Sequence, residues 1–171
     1  MALTQQLARV TPRYLEQCRQ NAAASPDNDP QWDPPRDDTL DLDWAIWGLI
    51  SFFRWAHVDK EHLDALDRSI SGDNSSDVAC LDHPEVYDGF DAPPALLTHT
   101  EVAQIADTLN AIDLDQALSL LPSNSAEAAQ ACGFEGFNGH PHDYLVQHFT
   151  ALRSFYNTAA QRGLAVVTWV D

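Results

Sequence analysis

The stretch from Gly139 to Asp171 constrains the fold more than any other part of the chain, because it reads as a long amphipathic helix stopped by a glycine and followed at once by an apolar strand. Tyr144, Leu145, Phe149, Leu152, Tyr156 and Ala159 recur at steps that line up one helical face. Asp143 is the expected N-cap, since a carboxylate there accepts amide protons that the first turn leaves unpaired. Arg162 and Gly163 make the expected exit: a cation at the negative helix end, then a residue that tolerates a left-handed backbone. Leu164 to Val170 (LAVVTWV) is β-branched, aromatic and nearly all apolar, the composition of a strand covered on both faces. A helix feeding such a strand is an α/β signature, with a mixed or partly parallel sheet as the expectation.

The upstream chain supplies the other elements. Residues 2–10 are expected to form a first strand. Thr11 before Pro12 caps a helix running to about Ala23. Residues 25–38 collect Pro26, Pro30, Pro34 and Pro35 among aspartates, which marks a surface loop. Leu42 to Trp55 (LDWAIWGLISFFRW) is apolar in nearly every direction and reads as a buried helix. A weaker helix follows from Asp59 to Ile70. Residues 72–94 form a second long connection, with at most a short strand near Val78 to Leu81. Thr98 with Glu101 is a capping box, opening a helix with Val102, Ile105, Ala106, Leu109 and Ile112 on one stripe. Asp113 with Gln116 opens a short helix that Pro122 closes, and another spans Ala126 to Cys132.

Length and charge bound the class. A chain of 171 residues fits one domain, residues 1–171, and buries about two-thirds of its unfolded surface without disulfides or metal. With 26 acidic against 9 scattered basic residues, the formal net charge is −17. That disfavours nucleic acid, which needs a clustered basic face; acidity instead promotes solubility or steers the chain towards a basic partner. Cys18, Cys80 and Cys132 are odd in number and in no CxxC spacing, as for thiols of a reducing compartment. The opening MALTQQLARVTPRY has no apolar signal segment and no run is long enough for a membrane span, so the expected location is cytoplasmic.

Two runs, LLTHTEVAQIADTLNAID (Leu96 to Asp113) and DYLVQHFTALRSFYNTAAQRGLAVVTWV (Asp143 to Val170), resemble the bacterial family of unknown function typified by YfbM. The first is similar to that family's leucine, threonine, acidic and valine opening of a helix, the second to its F-x-x-L-x-x-F-Y helix, glycine and closing apolar strand. LDLDWAIWGL (Leu40 to Leu49) is similar to its leucine-aspartate opening of a Trp-bearing helix. The resemblance implies a three-layer α/β sandwich and no established activity. Where the family commonly carries a Leu-His pair and a Leu-Thr-Gly end, this chain reads Leu49, Ile50, Ser51, Phe52 and Phe53, so a role for that histidine would not carry over.

Several clusters invite chemistry. His140, His142 and Asp143, with His148 further on, are the tightest set of metal-ligand types, and an extended backbone would let the two imidazoles share an ion; the bland alternative is a solvated helix start. Cys80, Asp82 and His83 offer a thiol beside a base, but such partners usually come from separate elements. His57 and His62 are five apart, the wrong spacing for a shared metal face, and His99 is read as a first-turn residue. Asp27-Asn28-Asp29 and Asp73, Ser75 and Asp77 lack the glycine and glutamate of a calcium loop. GxGxxG, GxxxxGKS and GxSxG are absent from the sequence. Trp44, Trp47 and Trp55 fill the core, or, where one or two surface beside the aspartates, form an aromatic patch with an acidic rim.

The resulting expectation is a non-enzymatic, cofactor-free module, immunity- or inhibitor-like, that engages a basic protein. Seven aspartates lie between Asp27 and Asp43. Asp33, Asp37, Asp38, Asp41, Asp43 and Trp44 are its candidate contacts. The alternatives are a small-molecule hydrolase built on His140, His142 and Asp143, with or without metal, and a purely structural or oligomeric role.

Overall fold

The computed structural model describes residues 3–90 and 92–171. Its sheet has four strands in the order β2-β1-β4-β3: β1 (Gln5–Val10), β2 (Thr39–Asp41), β3 (Ala95–Leu97) and β4 (Ala165–Val170). The helices are α1 (Pro12–Ala24), α2 (Ala45–Trp55), α3 (Lys60–Ser71), α4 (His99–Ala111), α5 (Leu114–Leu118), α6 (Ser125–Ala131) and α7 (Pro141–Gln161). Two 3-10 segments, Arg36–Asp38 and Ser76–Leu81, lie in the long connections.

Every residue of β4 is buried. Its alternate side chains enter two cores. Val166, with Leu7 and Leu97, packs under α2, α3, α4 and α7, while Ala165, Val167 and Trp169, with Ala8, Val10 and Leu96, pack against Leu15 and Cys18 of α1 and against Val78, Leu81, Val86 and Tyr87. The fold is thus a mixture of helices and strands with both sheet faces covered. The expected mixed or partly parallel sheet is corrected: β1 pairs antiparallel with β2 and β4, and β3 antiparallel with β4. An all-apolar strand reports cover on both faces, not strand direction. Here α1 and the 76–87 connection provide the second cover without parallel crossovers.

Helix α7 spans about 32 Å at the usual rise per residue. It starts at Pro141 rather than at a cap on Asp143. His140 holds the N-cap position and Asp143 lies in the first turn, because proline at N1 is preset for helix and its missing amide is one the first turn leaves unpaired in any case. The exit at Arg162 and Gly163 is as expected, with Gly163 at φ 64°. Thr11 caps α1, and the Thr98–Glu101 box closes reciprocally at the start of α4. The short strand expected near Val78 is instead the 3-10 segment Ser76–Leu81. Strands β2 and β3 are three residues each, too short to show alternation. The two long connections touch each other: His83 Nε2 lies 3.2 Å from the Asp27 carbonyl oxygen.

Two polar ties hold the C-terminal half of α7. The hydroxyl of fully buried Tyr156 donates to the Ser69 carbonyl in α3 at 2.6 Å. At the far end Asp38 accepts from Arg9 Nε of β1 at 2.7 Å and from Arg162 Nη1 at 2.6 Å. Tyr156→Phe, which strands the Ser69 carbonyl, is expected to cost on the order of 1–2 kcal/mol in urea unfolding. The hydrogen bond from Arg162, followed by that from Arg9, holds the Asp38 carboxyl below its ordinary value of 3.8. A carboxyl depressed on folding contributes stability above its unfolded pKa and loses it as pH falls through the folded one. The stability difference between the parent and Asp38→Asn should therefore be widest near neutrality and shrink as unfolding is measured below about pH 4.

Candidate functional site

An aromatic recess, a cleft of ≈ 480 Å³, lies between the start of α2 and the segment 132–138. That segment reads Gly133-Phe134-Glu135-Gly136-Phe137-Asn138-Gly139. Gly133 follows α6 at φ 70°, and the Phe134 amide returns to the Ala129 carbonyl at 2.9 Å. The turn lays the Phe134 ring on α2 at Gly48, where a Cβ would lie 2.0 Å from Phe134 Cζ. Only a residue without a side chain fits beneath that ring. Phe134, Phe137 and Tyr144 then stack pairwise, with centroids 5.1–5.6 Å apart, and Trp44 and Trp47 line the same recess from α2 and its cap.

Asp43 is held from several sides. Its backbone is left-handed, φ 49°, a conformation that short polar residues tolerate better than others. Its amide donates to Asp41 Oδ1 at 2.8 Å, and its carbonyl accepts from the Gln5 amide of β1 at 3.1 Å. The Tyr144 hydroxyl donates to Asp43 Oδ2 at 2.8 Å and accepts from the Trp44 amide at 3.3 Å. Burial, reinforced by the bond to Asp43, pushes the Tyr144 phenol well up, so it remains a neutral donor. His148 stacks edge-on against Tyr144 at 4.7 Å. Burial lowers its pKa, opposed by Asp43 and Asp41.

The cleft therefore combines aromatic walls with the carboxylates of Asp43 and Glu135, and none of the described residues that line it is a lysine, arginine or histidine. Its thiol, Cys132, is pushed up to about 11 by burial. Such a thiol stays protonated and is a poor nucleophile. The chemistry available is cation recognition by π faces and carboxylates.

Residues 1–169 match the family described as Domain of unknown function (DUF1877). The chain belongs to that family. Its fold is similar to the crystal structure of a protein of unknown function, YfbM from Escherichia coli, with a TM-score of 0.61 at 16% identity, covering 98% of this chain and 99% of that one. The family resemblance carried by Leu96 to Asp113 and Asp143 to Val170 is thereby borne out. No match is found among curated proteins.

In this DUF1877 chain, the candidates from the sequence fall in different places. Asp43 and Trp44 line the cleft, and Asp41 braces Asp43 from behind. Asp38 is engaged by two arginines, the Asp37 carbonyl accepts from Arg9, and the Asp33 amide donates to Tyr14. Trp44 and Trp55 are 38% and 55% exposed, so the three tryptophans are not all core. Trp47 is partly buried against the helical core. His140, His142 and Asp143 border a separate recess of ≈ 180 Å³, where His142 Nδ1 lies 3.4 Å from Asp143 Oδ1. Among the described residues, no three His, Cys, Asp or Glu side chains are grouped so as to hold a metal. The Cys80, Asp82 and His83 set is divided: Tyr87 donates to Asp82, the Glu85 amide to His83 Nδ1, and burial raises the Cys80 thiol. Asp27 accepts from Ser25, and Asp73 from Arg68.

Sequence reasoning missed Gly48, Phe134, Phe137 and Glu135, and took Tyr144 for core. The available signals were a glycine inside an apolar helix and two phenylalanines among three glycines, each a sign of close backbone or ring approach. Gly48→Ala is expected to displace Phe134 and destabilise the fold by about 1–3 kcal/mol, read by thermal unfolding. Loss of Phe134 ring contacts in NMR spectra is the accompanying mark.

Proposed function

We propose that the chain is a non-enzymatic protein-binding module that engages a basic partner through the aromatic cleft and its acidic rim. The observation that carries this reading is the pairing of Trp44, Phe134, Phe137 and Tyr144 with Asp43 and Glu135 in a recess without a lining cation. A half-exposed tryptophan beside a fixed carboxylate is the composition of an interface hot spot, and the net charge of −17 favours encounter with a basic surface. The two-sided cover of the sheet supports a three-layer α/β arrangement, in which α2 and α7 hold the cleft on a rigid base. An inhibitor- or immunity-like role suits a module of this kind. A hydrolase using His140, His142 and Asp143 gains less support, since its side chains are exposed at the start of α7. Among the described residues, no helix is long and apolar enough to cross a membrane.

The test is binding of a fluorescent Lys/Arg-rich polypeptide, followed by anisotropy. Binding is expected to weaken roughly tenfold between 50 and 300 mM salt. Asp43→Asn and Trp44→Ala should each cost about five- to tenfold in affinity, whereas Asp64→Asn, on the exposed side of α3, should change little. Equal losses in all three variants would reduce the interaction to bulk charge and remove the cleft from it.

A further inference from the structure

Resting on that reading, we infer that the cleft selects a guanidinium over an ammonium, so that an arginine side chain of the partner is the group it anchors. The geometry of Asp43 decides between the two cations. Tyr144 fixes Oδ2, Asp41 fixes the backbone amide and Gln5 approaches the carbonyl, so the carboxylate is presented in one orientation at the cleft wall. A planar guanidinium can meet such a carboxylate edge-on while its face lies against an aromatic ring. Trp44 at the head of α2 and the Phe134–Phe137 pair across the recess offer those faces.

Hydration points the same way. The cleft is walled by aromatic rings, and entering it removes water from the cation. A guanidinium is more weakly hydrated than an ammonium and loses less on entry. A trimethylated ammonium also sheds little water and suits an aromatic box, but it has no N–H to give to the Asp43 carboxylate. Asp43→Asn keeps the shape and accepts the left-handed backbone, since asparagine is enriched there, so it removes the charge without removing the fold.

The experiment compares four short peptides, identical except for a central arginine, lysine, trimethyl-lysine or citrulline, together with free agmatine. Each is titrated against the full chain with tryptophan fluorescence and amide NMR as readouts. The arginine peptide is expected to bind at least about fivefold more tightly than the lysine and trimethyl-lysine peptides and more tightly than agmatine, with citrulline showing no saturable binding. The preference should vanish in Asp43→Asn, with circular dichroism unchanged. Lysine or trimethyl-lysine binding as tightly as arginine overturns the selectivity, as does an arginine preference that survives Asp43→Asn. Agmatine binding as tightly as the arginine peptide overturns the side-chain source in favour of a small guanidine. If the selectivity fails while the basic polypeptide still depends on Asp43 and Trp44, the binding-module reading stands without it.

Discussion

The pairing of β1 with β4 is the interaction on which the remaining structure depends. Six residue pairs, from Gln5 opposite Val170 to Val10 opposite Ala165, join the two strands in the middle of the sheet. Because β4 is buried along its whole length, its amides and carbonyls have no water to turn to, and each lost ladder bond would leave a buried polar group unmet. The ladder also separates the two apolar clusters. Leu7 and Val166 belong to the helical side, Ala8 and Val167 to the side closed by α1. A register slip of one residue would exchange those sets.

The cleft inherits its rigidity from this sheet. The Asp43 carbonyl accepts from the Gln5 amide, and the Leu42 amide donates to the Gln5 carbonyl, so the turn before α2 is an extension of β1. Tyr144 then reaches back from α7 to the same turn. A left-handed aspartate costs on the order of 1 kcal/mol and persists where its surroundings determine it several times over. The acidity of the chain is correspondingly uneven in use. Asp38 and Asp73 are tied to arginines and Asp82 to Tyr87, whereas Asp43 and Glu135 face the recess.

Much of the scaffold was legible in the sequence because its signals are local. Thr11, Thr98, Asp113 and Gly163 act within a turn of their own position, and each sits where its chemistry places it. The direction of the strands was not legible, since burial of LAVVTWV says only that both faces are covered. The true start of α7 was hidden by competition between Pro141 and Asp143 for the first turn. The cleft was the least visible part. Its members come from positions 43–51, 132–138 and 144, and they become one site through long-range contacts: the bond between Asp43 and Tyr144, across 101 positions, and the packing of Phe134 on Gly48 and Tyr144. Tyr144 also follows the spacing of a core residue, so periodicity alone assigned it to the interior.

The central ladder carries a consequence for how the molecule assembles. Leu7 lies opposite Thr168, roughly 160 positions later, so the middle of the sheet closes a loop that contains all the helices α1 to α7, and such closure is entropically late. During synthesis β1 must wait without its main neighbour until β4 has emerged, with only the three-residue β2 to cover one edge. A chain built this way has its slowest folding step at its centre, and during translation its exposed edge is a natural target for chaperones or for misassociation.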